Sequence, residues 1–118
     1  MKTIQRILNL SKEDFYIKHL TIVNLLLPTH LTNKEIEILA AFMSLDKNLI
    51  EEDMFNTVAR KKVMGKLGLS PGGLSNHLKS IIDKKVLDRN TITNRITIKS
   101  YLLPHEPVQG YQIKIIKR

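Results

Sequence analysis

The stretch RKKVMGKLGLSPGGLSNHLKSIIDKKV, residues Arg60–Val86, decides the fold of this chain. Its apolar residues follow helical spacing in two separate runs. Between the runs lie Gly68, a residue type that tolerates positive φ, and Ser70, a good helix N-cap. The stretch therefore predicts a helix that ends at Leu67, a short turn, and a second helix from Pro71 to about Lys84.

Two further helices are predicted upstream from the same kind of start signal. Ser11 is the N-cap of a helix that runs from about Lys12 to Leu27. Thr32 and Glu35 form a capping box that opens a helix from about Asn33 to Leu45.

The helix that ends at Leu67 is predicted to begin near Asp53. In this interpretation Phe55, Val58 and Val63 face inward. We expect its first turn to be irregular, because weak helix formers follow Phe55 in the sequence.

After Val86 the pattern changes to that of strands. Ile96–Lys99 and Gln112–Ile115 alternate between apolar and polar residues and are rich in β-branched side chains. The loop Leu103–Gly110, with two prolines and a glycine, separates them and predicts two antiparallel strands joined by a protruding loop. Thr3–Ile7 fits either a short strand or a helical lead-in.

This organisation resembles the winged helix-turn-helix transcription regulators, especially the MarR-like and ArsR-like families. The resemblance is carried by LTNKEIEILAAF (31–42), by KLGLSPGGLSNHLKSIIDKKVL (66–87) and by the strand-rich tail. It implies an α+β fold in which a helical N-terminal part is followed by a small antiparallel β-sheet, the wing. We accordingly expect one domain over 1–118, with an N-terminal extension of one helix (1–29) and a winged helix-turn-helix core (30–118).

The distribution of charge indicates a polyanionic partner. The chain has 19 basic and 11 acidic residues and a formal net charge of +8. Residues 1–59 have a slight excess of acidic side chains, so the net positive charge of the chain comes entirely from residues 60–118. A one-sided basic field is typical of nucleic-acid binding, although a solvated basic face has the same composition. Together with the resemblance, it predicts a sequence-specific protein that binds double-stranded DNA and regulates transcription.

The helix after Ser70 is expected to read the bases. Its inner face uses Leu74, Leu78, Ile81 and Ile82, which leaves polar and small residues outside. Asparagine, serine and lysine side chains hydrogen-bond base edges or phosphates, and glycines let a helix start approach DNA closely. The predicted contact residues on this helix are Gly72, Gly73, Ser75, Asn76, His77 and Lys79. A frayed helix start and a solvated helix face are the alternative interpretations.

The basic residues around that helix are expected to contact phosphates, which fixes register without reading sequence. These residues are Arg60, Lys61, Lys62 and Lys66 near the preceding helix, and Arg89 and Arg95 in the strand region. Lys84 and Lys85 either contact phosphate or stabilise the helix dipole. The wing tip is either the short turn Arg89–Asn94 or the longer loop Leu103–Gly110. Its greater length favours Leu103–Gly110 as the wing tip.

Several classes of function are disfavoured by composition. The absence of cysteine excludes a disulfide scaffold, a thiolate zinc site and a cysteine nucleophile. The four histidines do not have metal-ligand spacing, and there is no phosphate-binding glycine loop or nucleophile elbow. We therefore expect no enzyme activity, no metal and no cofactor. Without an apolar run of about 20 residues or a signal-peptide pattern, we also expect no membrane association and a location in the cytoplasm of a bacterial or phage-infected cell.

Two alternatives to a regulator are compatible with the sequence. One is a DNA-binding module for replication initiation or packaging, and the other is a winged-helix protein-interaction module in a larger assembly. By resemblance, the extra helix Lys12–Leu27 suggests a homodimer, with Tyr16, Leu20, Val23 and Leu27 as its seam. The same stripe is equally able to cover the domain's own core.

Overall fold

A computed structural model describes residues 5–50 and 53–117, and over these residues the chain has an α+β architecture. Five helices precede a small two-stranded antiparallel sheet, which confirms the α+β part of the prediction. In chain order the elements are α1 (Lys12–Asn24), α2 (Asn33–Met43), α3 (Lys47–Ile50), α4 (Thr57–Leu67), α5 (Pro71–Asp83), β1 (Leu87–Arg89), β2 (Ile96–Ile98) and a 3-10 turn (Ser100–Leu102).

The helix starts predicted from capping residues are confirmed. The side chains of Ser11 and Ser70 each accept a hydrogen bond from the third amide of their helix, at 3.3 and 3.0 Å. Thr32 and Glu35 form the complete capping box at the start of α2. Each cap satisfies a backbone N–H that has no partner inside the helix.

The first helix ends earlier than predicted, at Asn24 instead of Leu27. The side chain of Asn24 accepts a hydrogen bond from the Leu31 amide at 2.6 Å and donates one to the Leu31 carbonyl at 3.1 Å. This pair of hydrogen bonds folds the chain back after the helix. It also fixes the approach of Leu31 to α2.

The predicted start of α4 at Asp53 is wrong, because the helix begins at Thr57. The Asp53 carboxylate instead accepts a hydrogen bond from the Phe55 amide at 3.0 Å, a local turn that competes with helix formation. Val58 is exposed, contrary to expectation, whereas Ala59 is buried with Val63. Residues four positions apart share a helix face, and Val58 is five positions from Val63.

The strand pairing differs from the prediction. β2 pairs with β1, with Leu87 opposite Ile98 and Arg89 opposite Ile96. The segment Gln112–Ile115 is not a strand in the structure. The hairpin turn is therefore the short one that follows Arg89, and the longer loop does not join the paired strands.

The short turn forms because asparagines close it. The backbone amide of Asn90 donates to the Arg95 carbonyl at 2.8 Å. The Asn90 side chain accepts hydrogen bonds from the amides of Ile92 and Thr93, at 2.9 and 3.1 Å. Asn94 adopts a φ of 59°, which asparagine tolerates better than most residues. These local bonds outweigh the strand propensity of the later segment.

The core is built around α2, whose residues Ile38–Met43 are all buried. Helix α1 packs along α2, and α4, α5 and the hairpin close the other sides. Tyr16, Leu20 and Leu27 belong to this core, and Val23 packs against it. The stripe considered as a dimer seam is thus buried inside the chain. A homodimer, which stays a prediction, needs another surface.

No helix within the described ranges is both long enough and apolar enough to cross a membrane. Of the segment Thr3–Ile7, residues 3 and 4 lie outside the described residues, and residues 5–11 form neither a helix nor a strand.

Candidate nucleic-acid interface

The outward face of α5 is the first component of the candidate interface. Leu74, Leu78 and Ile81 are buried, as predicted, and fix the rotation of the helix. Gly72, Asn76 and Lys79 recur at intervals of four and three residues on the opposite face, and all are exposed. Ser75 is also exposed, at the margin of this face, as is Asp83 in the last turn.

The two glycines of α5 differ in their surroundings. A Cβ atom at Gly72 would meet no other atom within 4 Å. A Cβ atom at Gly73 would lie 3.1 Å from the capping hydroxyl of Ser70, so a glycine there leaves room for the cap. Gly73 and His77 are half-buried, beside the inner face. They are therefore less available to a partner than Gly72.

The turn between α4 and α5 holds the two helices in a fixed relation. Gly68 has a φ of 66°, the left-handed conformation expected for it. The Leu69 amide donates to the Met64 carbonyl at 3.0 Å, and the same carbonyl accepts from the Gly68 amide, so both turn amides are bound to the last turn of α4. Leu69 packs against the core and anchors the turn.

The four basic residues of α4 that are predicted to contact phosphates differ in their exposure and in the partners they already have. Lys61 and Lys62 are exposed on its outward side. Arg60 is half-buried, and its Nε atom donates to the Phe55 carbonyl at 2.8 Å. Lys66 pairs with Glu13 of α1, with 2.5 Å between Nζ and Oε2. Lys61 and Lys62 are thus better placed than Arg60 or Lys66 to bind a partner.

The hairpin supplies two further cations at its turn. Arg89 is the last residue of β1, and Arg95 immediately precedes β2. Because Arg89 lies opposite Ile96, both arginines are at the same end of the hairpin. Both are exposed.

Most of these cations have no acidic partner in the described part of the chain. Among residues 5–50 and 53–117, no carboxylate lies within 4.0 Å of the charged groups of Lys61, Lys62, Lys79, Arg89 and Arg95. Cations without local neutralisation produce a positive potential that attracts a polyanion.

Lys84 is not available for the phosphate contact considered for it. Its Nζ atom lies 2.5 Å from Oε1 of Glu35, a carboxylate that is only 2% exposed. Burial opposes ionisation of this carboxyl group, but Lys84 and the Thr32 amide hold the pKa of Glu35 below its ordinary value. Lys85 remains exposed, with a φ of 68°. Glu35 and Lys84 are 49 positions apart, so no local sequence pattern predicts their ion pair.

A concave feature lies between α1, α2, α3 and the loop after the 3-10 turn. It is a cavity of about 290 Å³, lined by Tyr16, Met43, Lys47, Ile50, Met54, Leu103, Pro104 and Glu106. The Tyr16 hydroxyl donates to Glu106, and Lys47 lies 3.4 Å from the same carboxylate. The hydrogen bond from Tyr16 lowers the pKa of Glu106, assisted by Lys47. The polar groups of this cavity are thus bound to one another.

The described residues contain no group of three or more histidine, aspartate or glutamate side chains placed to hold a metal ion. Comparison with protein-family models, with curated proteins and with solved structures gives no match to this chain.

Proposed function

We propose that this chain is a winged helix-turn-helix protein that binds double-stranded DNA at specific sequences and regulates transcription. The proposal is supported by the exposed face of α5, beside which lie cations on α4 and at the hairpin turn that have no acidic partner among residues 5–50 and 53–117. A helix, a short turn, a second helix and a hairpin follow one another in the order that such proteins use.

In this proposal the first two turns of α5 enter the major groove. Gly72 leaves space for the backbone to approach DNA, and Asn76 lies one turn further on the same face. Asparagine hydrogen-bonds adenine through two atoms, and lysine at position 79 suits guanine or a phosphate. The Asp83 carboxylate at the other end of this face disfavours phosphate, so the N-terminal half of the helix is the part that enters.

The cations beside α5 position the protein without reading bases. Lys61 and Lys62 on α4 reach one stretch of backbone, and Arg89 and Arg95 reach another from the hairpin. Lys66 and Lys84 stay in their internal ion pairs and stabilise the fold.

Binding to DNA is tested by fluorescence anisotropy with labelled duplexes at several salt concentrations. If about six phosphates are neutralised, affinity falls on the order of a thousandfold between 50 and 200 mM salt. A flat salt response, or no binding at low salt, contradicts the proposal. Selection of bound duplexes from a random pool then defines the site, and a regulator's site is expected in a promoter instead of a replication origin.

A further inference from the structure

Residues 111–117, with the sequence YQIKIIK, have the pattern of a strand but pair with no other strand among the described residues. Their β-branched side chains alternate with polar ones between Gln112 and Ile115. Ile113, Ile115 and Ile116 are 57%, 92% and 82% exposed. Within the part of the chain that the structure describes, no backbone hydrogen bond joins this segment to another. Contiguous exposed apolar side chains of this kind indicate an interaction surface.

The start of the 111–117 segment is attached to the domain. The Tyr111 hydroxyl lies 2.5 Å from Nδ1 of His19, and the two rings are 5.8 Å apart. Beyond Tyr111 every side chain through Lys117 is exposed. The segment thus extends from a fixed point on α1 with its apolar side chains and its backbone available.

The same chain also has a sheet that can accept a strand. Among residues 5–50 and 53–117, only β1 and β2 pair, so each has an open edge. Ile96 of β2 is buried, Thr97 is exposed, and Ile98 is only partly covered. A two-stranded sheet is marginal alone, and a third strand adds both hydrogen bonds and apolar contact.

We propose that the 111–117 segment of one copy adds as a third strand beside β2 of a second copy. Its sequence Ile113-Lys114-Ile115 matches the alternation Ile96-Thr97-Ile98, so the isoleucines share one face and Lys114 lies beside Thr97 on the other. Each chain supplies both a strand and an edge, so the exchange is reciprocal and closes with two-fold symmetry. The chain's own segment is not paired with its own sheet, which leaves the edge free for the partner's segment.

The charge of the chain gives this association a distinctive salt dependence. Two copies of formal net charge +8 repel each other at low salt. Added salt screens that repulsion, since the screening length falls from about 30 Å at 0.01 M to about 10 Å at 0.1 M. Dimerisation therefore strengthens with salt, whereas DNA binding weakens. Dimerisation and DNA binding can therefore be tested independently of each other by varying the salt concentration.

The first test is sedimentation velocity of the full chain and two variants at 0.3 M salt. Ile115→Pro removes a backbone N–H that a ladder needs, whereas Ile115→Val keeps both the N–H and the β-branched shape. We expect dimers for wild type and Ile115→Val, and at least a tenfold weaker association for Ile115→Pro. Because Ile115 is exposed in the single chain, the thermal melts of all three should coincide at protein concentrations too low for the dimer to form. A monomeric wild type, or equal association of all three, overturns the proposal.

The second test locates the added strand by disulfide cross-linking. The chain has no native cysteine, so only the introduced cysteines can form a disulfide. We expect a mixture of Thr97→Cys and Lys114→Cys chains to cross-link under mild oxidation, and neither variant to do so alone. Self-cross-linking of Lys114→Cys would indicate pairing between the two 111–117 segments and overturn the proposal. An intrachain disulfide in the double variant at high dilution, or no cross-link in the mixture, also overturns it.

Discussion

Lys84, the C-cap residue that directly follows α5, donates to the buried carboxylate of Glu35 in the first turn of α2, with 2.5 Å between Nζ and Oε1. The same Oε1 atom accepts a hydrogen bond from the Thr32 amide at 2.7 Å, which completes the capping box. One carboxylate thus begins the central helix and holds the end of the helix proposed to enter DNA. This arrangement couples the orientation of α5 to the core.

We predict that Glu35→Gln lowers the free energy of unfolding by about 3 kcal/mol, because it leaves Lys84 without its partner at a largely buried site. The amide can still accept from Thr32, so the loss reflects the ion pair. In the wild type the pKa of Glu35 is below its ordinary value of 4.5. Its contribution is therefore complete above that pH and is lost as the pH falls through the lowered pKa. Urea denaturation at pH 7 and at pH 3 measures both effects.

The matched control for Glu35 is Glu37→Gln on the same helix. Glu37 is exposed and pairs with Lys34 at 3.5 Å, a surface ion pair worth about 0.5 kcal/mol or less. Equal losses for the two variants would show that the buried pair has no special role.

We predict that His19 makes the fold less stable in mild acid. Its Nε2–H donates to the Leu102 carbonyl at 2.6 Å, so Nδ1 accepts from the Tyr111 hydroxyl and the ring is neutral. Burial lowers the pKa of His19 from 6.5, although the Leu102 carbonyl favours the charged form. As the pH falls below 6.5, His19 binds a proton in the unfolded chain. In the folded chain it stays neutral until the pH reaches its lower pKa. In that interval stability falls by up to about 1.4 kcal/mol per pH unit.

The measurement is the free energy of unfolding between pH 7.5 and pH 5. His19→Gln should remove the contribution of His19 to the slope, whatever its effect on stability at pH 7.5. His30→Gln changes an exposed histidine and leaves His19 in place, so it should retain that contribution. An unchanged slope in His19→Gln would assign the acid sensitivity to other groups.

Two glycine-to-alanine substitutions, three residues apart, should change the stability of the fold in opposite directions. Gly68→Ala places a side chain at a φ of 66° and should cost about 1 kcal/mol of stability. Gly65→Ala lies inside α4, where a Cβ atom would meet nothing within 4 Å, and should add about 0.5–1 kcal/mol. Thermal denaturation of both variants measures the difference. A change in stability of the same sign for both variants would mean that the turn does not require the left-handed conformation.

The parts of the fold that could be predicted from sequence depend on residues close together in the chain. The caps at Ser11, Thr32 and Ser70 act over three positions, and the buried face of α5 follows from helical spacing. The candidate residues Gly72 and Asn76 were placed outward for the same reason.

The parts that were missed depend on competition between distant segments. The strand propensity of residues 112–115 is at least as strong as that of β1, and the choice between them was decided by the closed turn at Asn90. The partner of Glu35 lies 49 residues away, and Lys66 pairs with Glu13 on a different helix. Periodicity shows which side of a helix is exposed but not which charge lies beside it.

The last prediction separates a base-reading residue from an anchoring one. Asn76 lies two positions after Leu74 and two before Leu78, both buried, and it is itself exposed near the leading end of α5. Lys62 is exposed on α4, next to buried Val63, and has no carboxylate within 4.0 Å among the residues described. If α5 occupies the major groove, Asn76 reaches a base edge and Lys62 reaches only a phosphate.

Asn76→Ala should therefore cost about 1–3 kcal/mol on the selected duplex and relax the preference at one base pair. Lys62→Ala should weaken binding to all duplexes about equally and reduce the salt slope by about one. Anisotropy titrations of both variants with selected and scrambled duplexes, at three salt concentrations, measure these differences. Both side chains are exposed, so neither change should alter the melting temperature. If Asn76→Ala weakens binding to the selected and the scrambled duplex equally, α5 contacts only the DNA backbone. The base-reading residues would then lie on another element.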